Sequence, residues 1–108
     1  MKNVCCINPK EFNDIISSNK DCIVIDCRTS EEIKLQCLDY DINIDMHDPS
    51  ALQLIQDLDP TKSYITYCKG GGRSQYLCEI LLNNGFETVY NLEGGILNWN
   101  QYKMRNLI

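Results

Sequence analysis

The chain has one histidine, no Cys-x-x-Cys pair, fewer basic than acidic residues and no long apolar run, and each lack removes a class of function. His47 has no partner at metal-ligand spacing, so neither a zinc site nor a thioredoxin-type dithiol is expected. Ten basic residues against fifteen acidic ones leave a net charge of −5, which argues against broad affinity for nucleic acid or anionic lipid. Anion binding, if present, must be local. No purely apolar run exceeds the four residues Cys22–Ile25, far short of the roughly 20 that a membrane span needs. The first seven residues lack the apolar core of a signal peptide. Seven cysteines are an odd count, and 108 residues bury a core without staples, so disulfides are not expected. The expectation is a soluble, cytoplasmic, reduced domain spanning 1–108, with no repeat or linker.

What is present alternates. Asn8-Pro9-Lys10-Glu11 reads as a capping box that opens a helix carrying Phe12, Ile15 and Ile16 inward and ending near Ser18. Cys22 to Cys27 is apolar until Asp26, as expected of a strand covered on both faces. Thr29-Ser-Glu-Glu32 is a second capping box, leading a short helix through Ile33 and Leu35. Ile42–Ile44 reads as a brief strand. A helix signalled by Asp48-Pro49 places Ala51, Leu54, Ile55 and Leu58 on one face and closes at Pro60. A strand at Tyr64–Tyr67 precedes a helix from about Arg73 to Asn84, with Leu77, Ile80 and Leu81 buried and Gly85 at the left-handed position beyond its end. Thr88–Leu92 is the last strand, and after the turn Glu93-Gly-Gly95 a final helix lines up Ile96, Trp99 and Tyr102. Strands alternating with helices at this spacing predict an α/β fold with a mostly parallel sheet and right-handed crossovers. Ligands in such sheets sit at the carboxyl ends of the strands, where Asp26 and Cys68 both fall.

The stretch after the fourth strand, Cys68-Lys69-Gly70-Gly71-Gly72-Arg73-Ser74, carries the chemistry. Three glycines let the backbone curl until its N–H groups converge on one spot, and a helix starting near Arg73 aims its unpaired amides and positive dipole end at the same place. Such donors favour a thiolate at Cys68 over the thiol. The plainer reading, a core cysteine before a turn, is kept for the other six cysteines. Lys69 is either a ligand of the anion or a solvated charge, and Arg73 either binds the anion or pairs with a carboxylate. Asp26 and Arg28 read as an internal ion pair or loop brace, and Ser74 as a helix cap or a donor to the sulfur.

Three motifs together resemble the rhodanese (thiosulfate sulfurtransferase) family in its small form: Val24-Ile-Asp26-Cys-Arg28-Thr-Ser-Glu-Glu32, the loop Cys68–Ser74, and Leu92-Glu-Gly94-Gly95-Ile-Leu-Asn-Trp99. The resemblance implies a three-layer sandwich with a central sheet of four to five strands and helices on both faces. It implies that Cys68 accepts sulfur, that residues 69–73 bind, and that Asp26 and Arg28 brace the loop. The implied donor is thiosulfate or another sulfane compound, and the implied acceptor a thiol, cyanide or a protein. No metal or cofactor is called for. The chain departs from the family at Cys37-Leu-Asp-Tyr-Asp41-Ile-Asn43-Ile44, where relatives carry a His-Ile-x-Gly-Ala-like stretch. Alternatives are a persulfide carrier, a non-catalytic partner-binding module, or a cysteine-based phosphatase or arsenate reductase. The last pair has five residues between Cys and Arg, whereas four intervene here, Lys69 to Gly72.

Overall fold

In the computed structural model residues 4–18 and 21–107 are described; residues 1–3, 19–20 and 108 of the expected 1–108 domain lie outside them. Five strands, β1 (Cys5–Ile7), β2 (Cys22–Asp26), β3 (Ile42–Asn43), β4 (Ser63–Tyr67) and β5 (Thr88–Leu92), form one sheet in the order β1-β5-β4-β2-β3. Every pairing is parallel. Between them run α1 (Pro9–Ser18), α2 (Ser30–Leu35), α3 (Ala51–Gln56), α4 (Gly72–Asn83) and, last, α5 (Gly95–Arg105). The period of two in the strands sorts side chains into two cores. Ile25, Tyr64 and Val89 meet Ile55 of α3 and Leu77 and Leu81 of α4 on one face. Val24, Ile65 and Leu92 meet Phe12 of α1 and Ile96 of α5 on the other, where Phe12 sets its ring edge-on to both Tyr67 and Trp99. This is the layered α/β arrangement anticipated from the alternating pattern.

Local signals govern the helix ends. Asn8 and Glu11 close the first capping box, with Glu11 N–H donating to Asn8 Oδ1 at 2.8 Å and Asn8 N–H to Glu11 Oε1 at 3.0 Å. Thr29 and Glu32 close the second. Gly85, at φ 89°, ends α4 with Gly85 N–H on Leu82 O and Phe86 N–H on Leu81 O, the paired bonds of a Schellman motif.

The short helix expected through Ile33 and Leu35 is present as α2, which buries none of its residues and is held by polar contacts. One apolar expectation changes: Leu54 is exposed, because α3 stops at Gln56 and reaches the core through Ala51 and Ile55. Its start also shifts, since Asp48 accepts from Ser50 N–H and Oγ–H in a turn before the helix begins at Ala51.

Candidate active site

β4 lies in the middle of the sheet, paired with β2 and β5, and Cys68 follows its last residue. The β2–β4 register sets Asp26 level with Tyr67, and Cys27 N–H continues the ladder onto Tyr67 O. Cys27 and Arg28 are thereby brought alongside Cys68. The fold delivers these residues to one sheet end.

Cys68 is 1 % exposed, and its sulfur receives three donors: Gly71 N–H at 3.0 Å, Ser74 N–H at 3.5 Å and the Ser74 hydroxyl at 3.3 Å. Of the three loop glycines only Gly71 uses its conformational freedom, at φ 100°. A side chain there would press on Gly94 N, whereas Gly70 and Gly72 have open space around them. Two of the carbonyls here are taken by α5: Ile96 N–H donates to Cys68 O at 3.0 Å and Leu97 N–H to Lys69 O at 3.1 Å. Two helix N-termini therefore grip the loop, α4 through the sulfur and α5 through the backbone oxygens. Orphan first-turn amides find partners in both cases.

Charges are paired around this centre. Arg73 holds Glu32 in a two-pronged bond, Nη1 to Oε1 at 2.7 Å and Nη2 to Oε2 at 2.9 Å. The Arg73 hydrogen bonds, helped by those from Thr29, bring the Glu32 carboxyl down to about 2. Arg28 and Asp26 form a buried pair, with Nη2 to Oδ2 at 2.9 Å and Nε to Oδ1 at 3.1 Å. Arg28 also donates to Gln36 O at 2.7 Å and to Glu32 O at 3.4 Å, tying down the end of α2. Asp26 thus acts on Arg28, Arg28 on α2, and α2 through Glu32 on Arg73. Lys69 is exposed and meets no carboxylate among the described residues. Burial pushes the Cys27 thiol well up and Cys78 up to about 12, which keeps both protonated. Cys5, Cys6 and Cys37 are exposed, and none of the seven cysteines is in a disulfide.

The structure places Cys68, Gly71, Arg73, Ser74, Asp26 and Arg28 together at the carboxyl end of the sheet, as the sequence leads one to expect, and adds four residues that the sequence does not single out for the site. Glu32 is legible in the sequence only as a capping residue, and nothing local points to Arg73, 41 positions away. Gly94 and Gly95 are legible in the sequence only as a turn, yet a Cβ on Gly95 would land against the carbonyls of Cys68 and Lys69. Asn91, 2 % exposed and bonded to Gly71 O at 3.3 Å, gave no sequence signal. His47 sits in an exposed turn whose N–H donates to Asp45, and the described residues contain no cluster of three or more metal-ligating side chains. No helix among them is long and apolar enough to cross a membrane.

Comparison with known proteins agrees with this geometry. The rhodanese-like domain pattern matches residues 8–102. A Bacillus subtilis (strain 168) protein, YtwF, named provisionally as a sulfurtransferase, is 31% identical over 93 residues, which cover 86% of this chain and 87% of that one. A tRNA uridine(34) hydroxylase of Chlamydia pneumoniae is 34% identical over 101 residues, 88% of this chain; the chain spans 31% of that relative's length. Among solved structures, a rhodanese-related protein from Thermoplasma volcanium matches with TM-score 0.78 at 26% identity, covering 91% of this chain and 92% of that one. The polysulfide-sulfur transferase homodimer of Wolinella succinogenes matches with TM-score 0.76 at 28% identity, over 93% of this chain and 75% of its own. With the pattern running almost end to end and the same layered sheet in its solved relatives, the chain belongs to the rhodanese-like domain family.

Proposed function

We propose that the protein is a sulfurtransferase in which Cys68 carries the transferred sulfur, with residues 1–108 acting as one rhodanese-like domain. The Cys68 thiolate attacks the outer sulfur of thiosulfate or another sulfane donor. The sulfur–sulfur bond of the donor breaks, sulfite leaves with the electron pair, and a persulfide remains on Cys68. A second nucleophile, a thiol, cyanide or a cysteine of an acceptor protein, then takes the outer sulfur and returns the thiolate, so the kinetics are ping-pong.

The observation that carries this reading is the set of three donors converging on the Cys68 sulfur. Donors fixed by the fold stabilise negative charge on sulfur without reorganising, as an oxyanion hole does for oxygen. Arg73 is committed to Glu32 and Arg28 to Asp26, so Lys69 is the cation left to meet an incoming anion among these loop and brace residues. Asp26 and Arg28 act as a brace rather than as reactants. Seven unbridged cysteines fit a reducing, cytoplasmic setting.

Intact-mass measurement after thiosulfate treatment tests the proposal. The expected result is a gain of one sulfur atom, lost again with cyanide and absent in Cys68→Ser. A wild-type protein left unmodified by thiosulfate and by other sulfane donors would overturn it in favour of a non-catalytic module. An aryl phosphate offered in parallel should not turn over, because four residues between Cys68 and Arg73 close a ring too tight for a tetrahedral phosphate.

A further inference from the structure

The Ser74 hydroxyl has one hydrogen and two acceptors in reach, Cys68 Sγ at 3.3 Å and Gly71 O at 3.2 Å. Unopposed, the carbonyl would take it, since oxygen accepts more strongly than sulfur and is nearer. Gly71 O has two lone pairs, and two other donors already address it: Gln75 N–H at 3.0 Å and Asn91 Nδ2–H at 3.3 Å. We propose that Asn91 is a positioning residue, which occupies the Gly71 carbonyl and so leaves the Ser74 hydrogen to the Cys68 sulfur.

The surroundings of Asn91 are built for that task. It comes from β5 on the α4 side of the loop and is 2 % exposed. A backbone carbonyl only accepts, so the amide must present its NH2 group to Gly71. Its second N–H donates to Gln75 Oε1 at 3.3 Å, an oxygen that also accepts from the Cys6 thiol at 3.4 Å. Its Oδ1 lies 3.4 Å from Thr66 Oγ1, whose single hydrogen also has Tyr90 O within reach at 3.2 Å. The amide is therefore held in one orientation by its two N–H bonds, and no described buried side-chain nitrogen or oxygen lacks a partner. Through this amide the last strand sets how many donors the sulfur of the preceding strand keeps.

The proposal rests on Cys68 being the reacting sulfur, and its test does not depend on sulfur transfer. Alkylation of Cys68 by iodoacetamide at neutral pH, followed by peptide mass, is compared in wild type, Ser74→Ala, Asn91→Leu and the double variant. The thiolate absorbance of each is read as a difference against Cys68→Ser. Each single substitution should slow alkylation roughly three- to tenfold and lower the thiolate absorbance, the scale of one ordinary hydrogen bond lost, as suits a long oxygen-to-sulfur contact. The double variant should be no slower than Ser74→Ala alone, because Asn91 acts through the same hydrogen. Asn91→Ala, which leaves room rather than bulk, should repeat the pattern if the leucine disturbs folding. Wild-type reactivity in either folded Asn91 variant, or losses that multiply in the double, would overturn the proposal. Failure of thiosulfate labelling with these alkylation results intact would count against sulfur transfer and leave Asn91 in place.

Discussion

Replacing Gly95 with alanine should damage the site more than any substitution at Gly70, although only Gly70 lies within the Cys-to-Arg loop. Gly95 has φ 60°, a left-handed conformation that costs an alanine about 1–2 kcal/mol. The added Cβ would meet Cys68 O and would lie 2.5 Å from Lys69 O, and both obstacles are backbone that cannot rotate away. Relief requires α5 and the loop to separate, which sacrifices the bonds from Ile96 N–H to Cys68 O and Leu97 N–H to Lys69 O. Each is worth about 0.5–1.5 kcal/mol, so the total expected loss is about 2–5 kcal/mol. Gly70 has no neighbour within 4 Å of its would-be Cβ and does not use positive φ, so Gly70→Ala should change stability by less than about 0.5 kcal/mol. Urea unfolding measures the first quantity, and the rate of Cys68 sulfur gain in the folded protein measures the second. Gly95→Ala should lose both stability and labelling rate while Gly70→Ala keeps both. Equal behaviour of the two variants would refute the claim that α5 holds the loop.

Removing the charge of Glu32 by Glu32→Gln should cost about 1 kcal/mol at neutral pH, a modest value because the Arg73 and Glu32 side chains keep 23% and 26% of their surface in water. That cost should depend on pH: the folded state lowers this carboxyl from 4.5 to about 2, so its contribution is full above about 4.5 and fades as pH falls toward 2. Wild type and Glu32→Gln should therefore converge in urea midpoint across that window, and a gap unchanged at pH 2 would contradict the assignment. Arg28→Met should be worse, by about 3–5 kcal/mol, since it strands Asp26 at 0% exposure. Adding Asp26→Asn should recover part of that loss in a double-mutant cycle, and simple additivity would remove the pair from the brace. Lys69→Ala should slow donor capture more than Arg73→Ala does, because Arg73 is already paired with Glu32, and the reverse order in donor KM would put Arg73 on the anion.

Much of the site could be read along the chain because its signals are local. Asn8 with Glu11, Thr29 with Glu32 and Gly85 each satisfy backbone groups within a few residues, so short-range chemistry determines them. Leu54 falls outside the core for the complementary reason: helical periodicity says which residues share a face, not how much of that face meets a core. The loop glycines show the same divide. All three permit a tight curl, but which one needs it was settled by Gly94 standing 3.2 Å from the would-be Cβ of Gly71.

By itself, the order of residues determined the alternation of strand and helix, the place of Cys68 after a buried strand and the start of a helix beside it, since these depend on side-chain period and nearest-neighbour backbone chemistry. Tertiary structure alone decided that Glu32 meets Arg73 across 41 positions, that Asn91 reaches Gly71, and that α5 takes the carbonyls of Cys68 and Lys69. Those contacts join segments that parallel strand pairing brings level at one end of the sheet, and register between distant strands is a property of the packed whole.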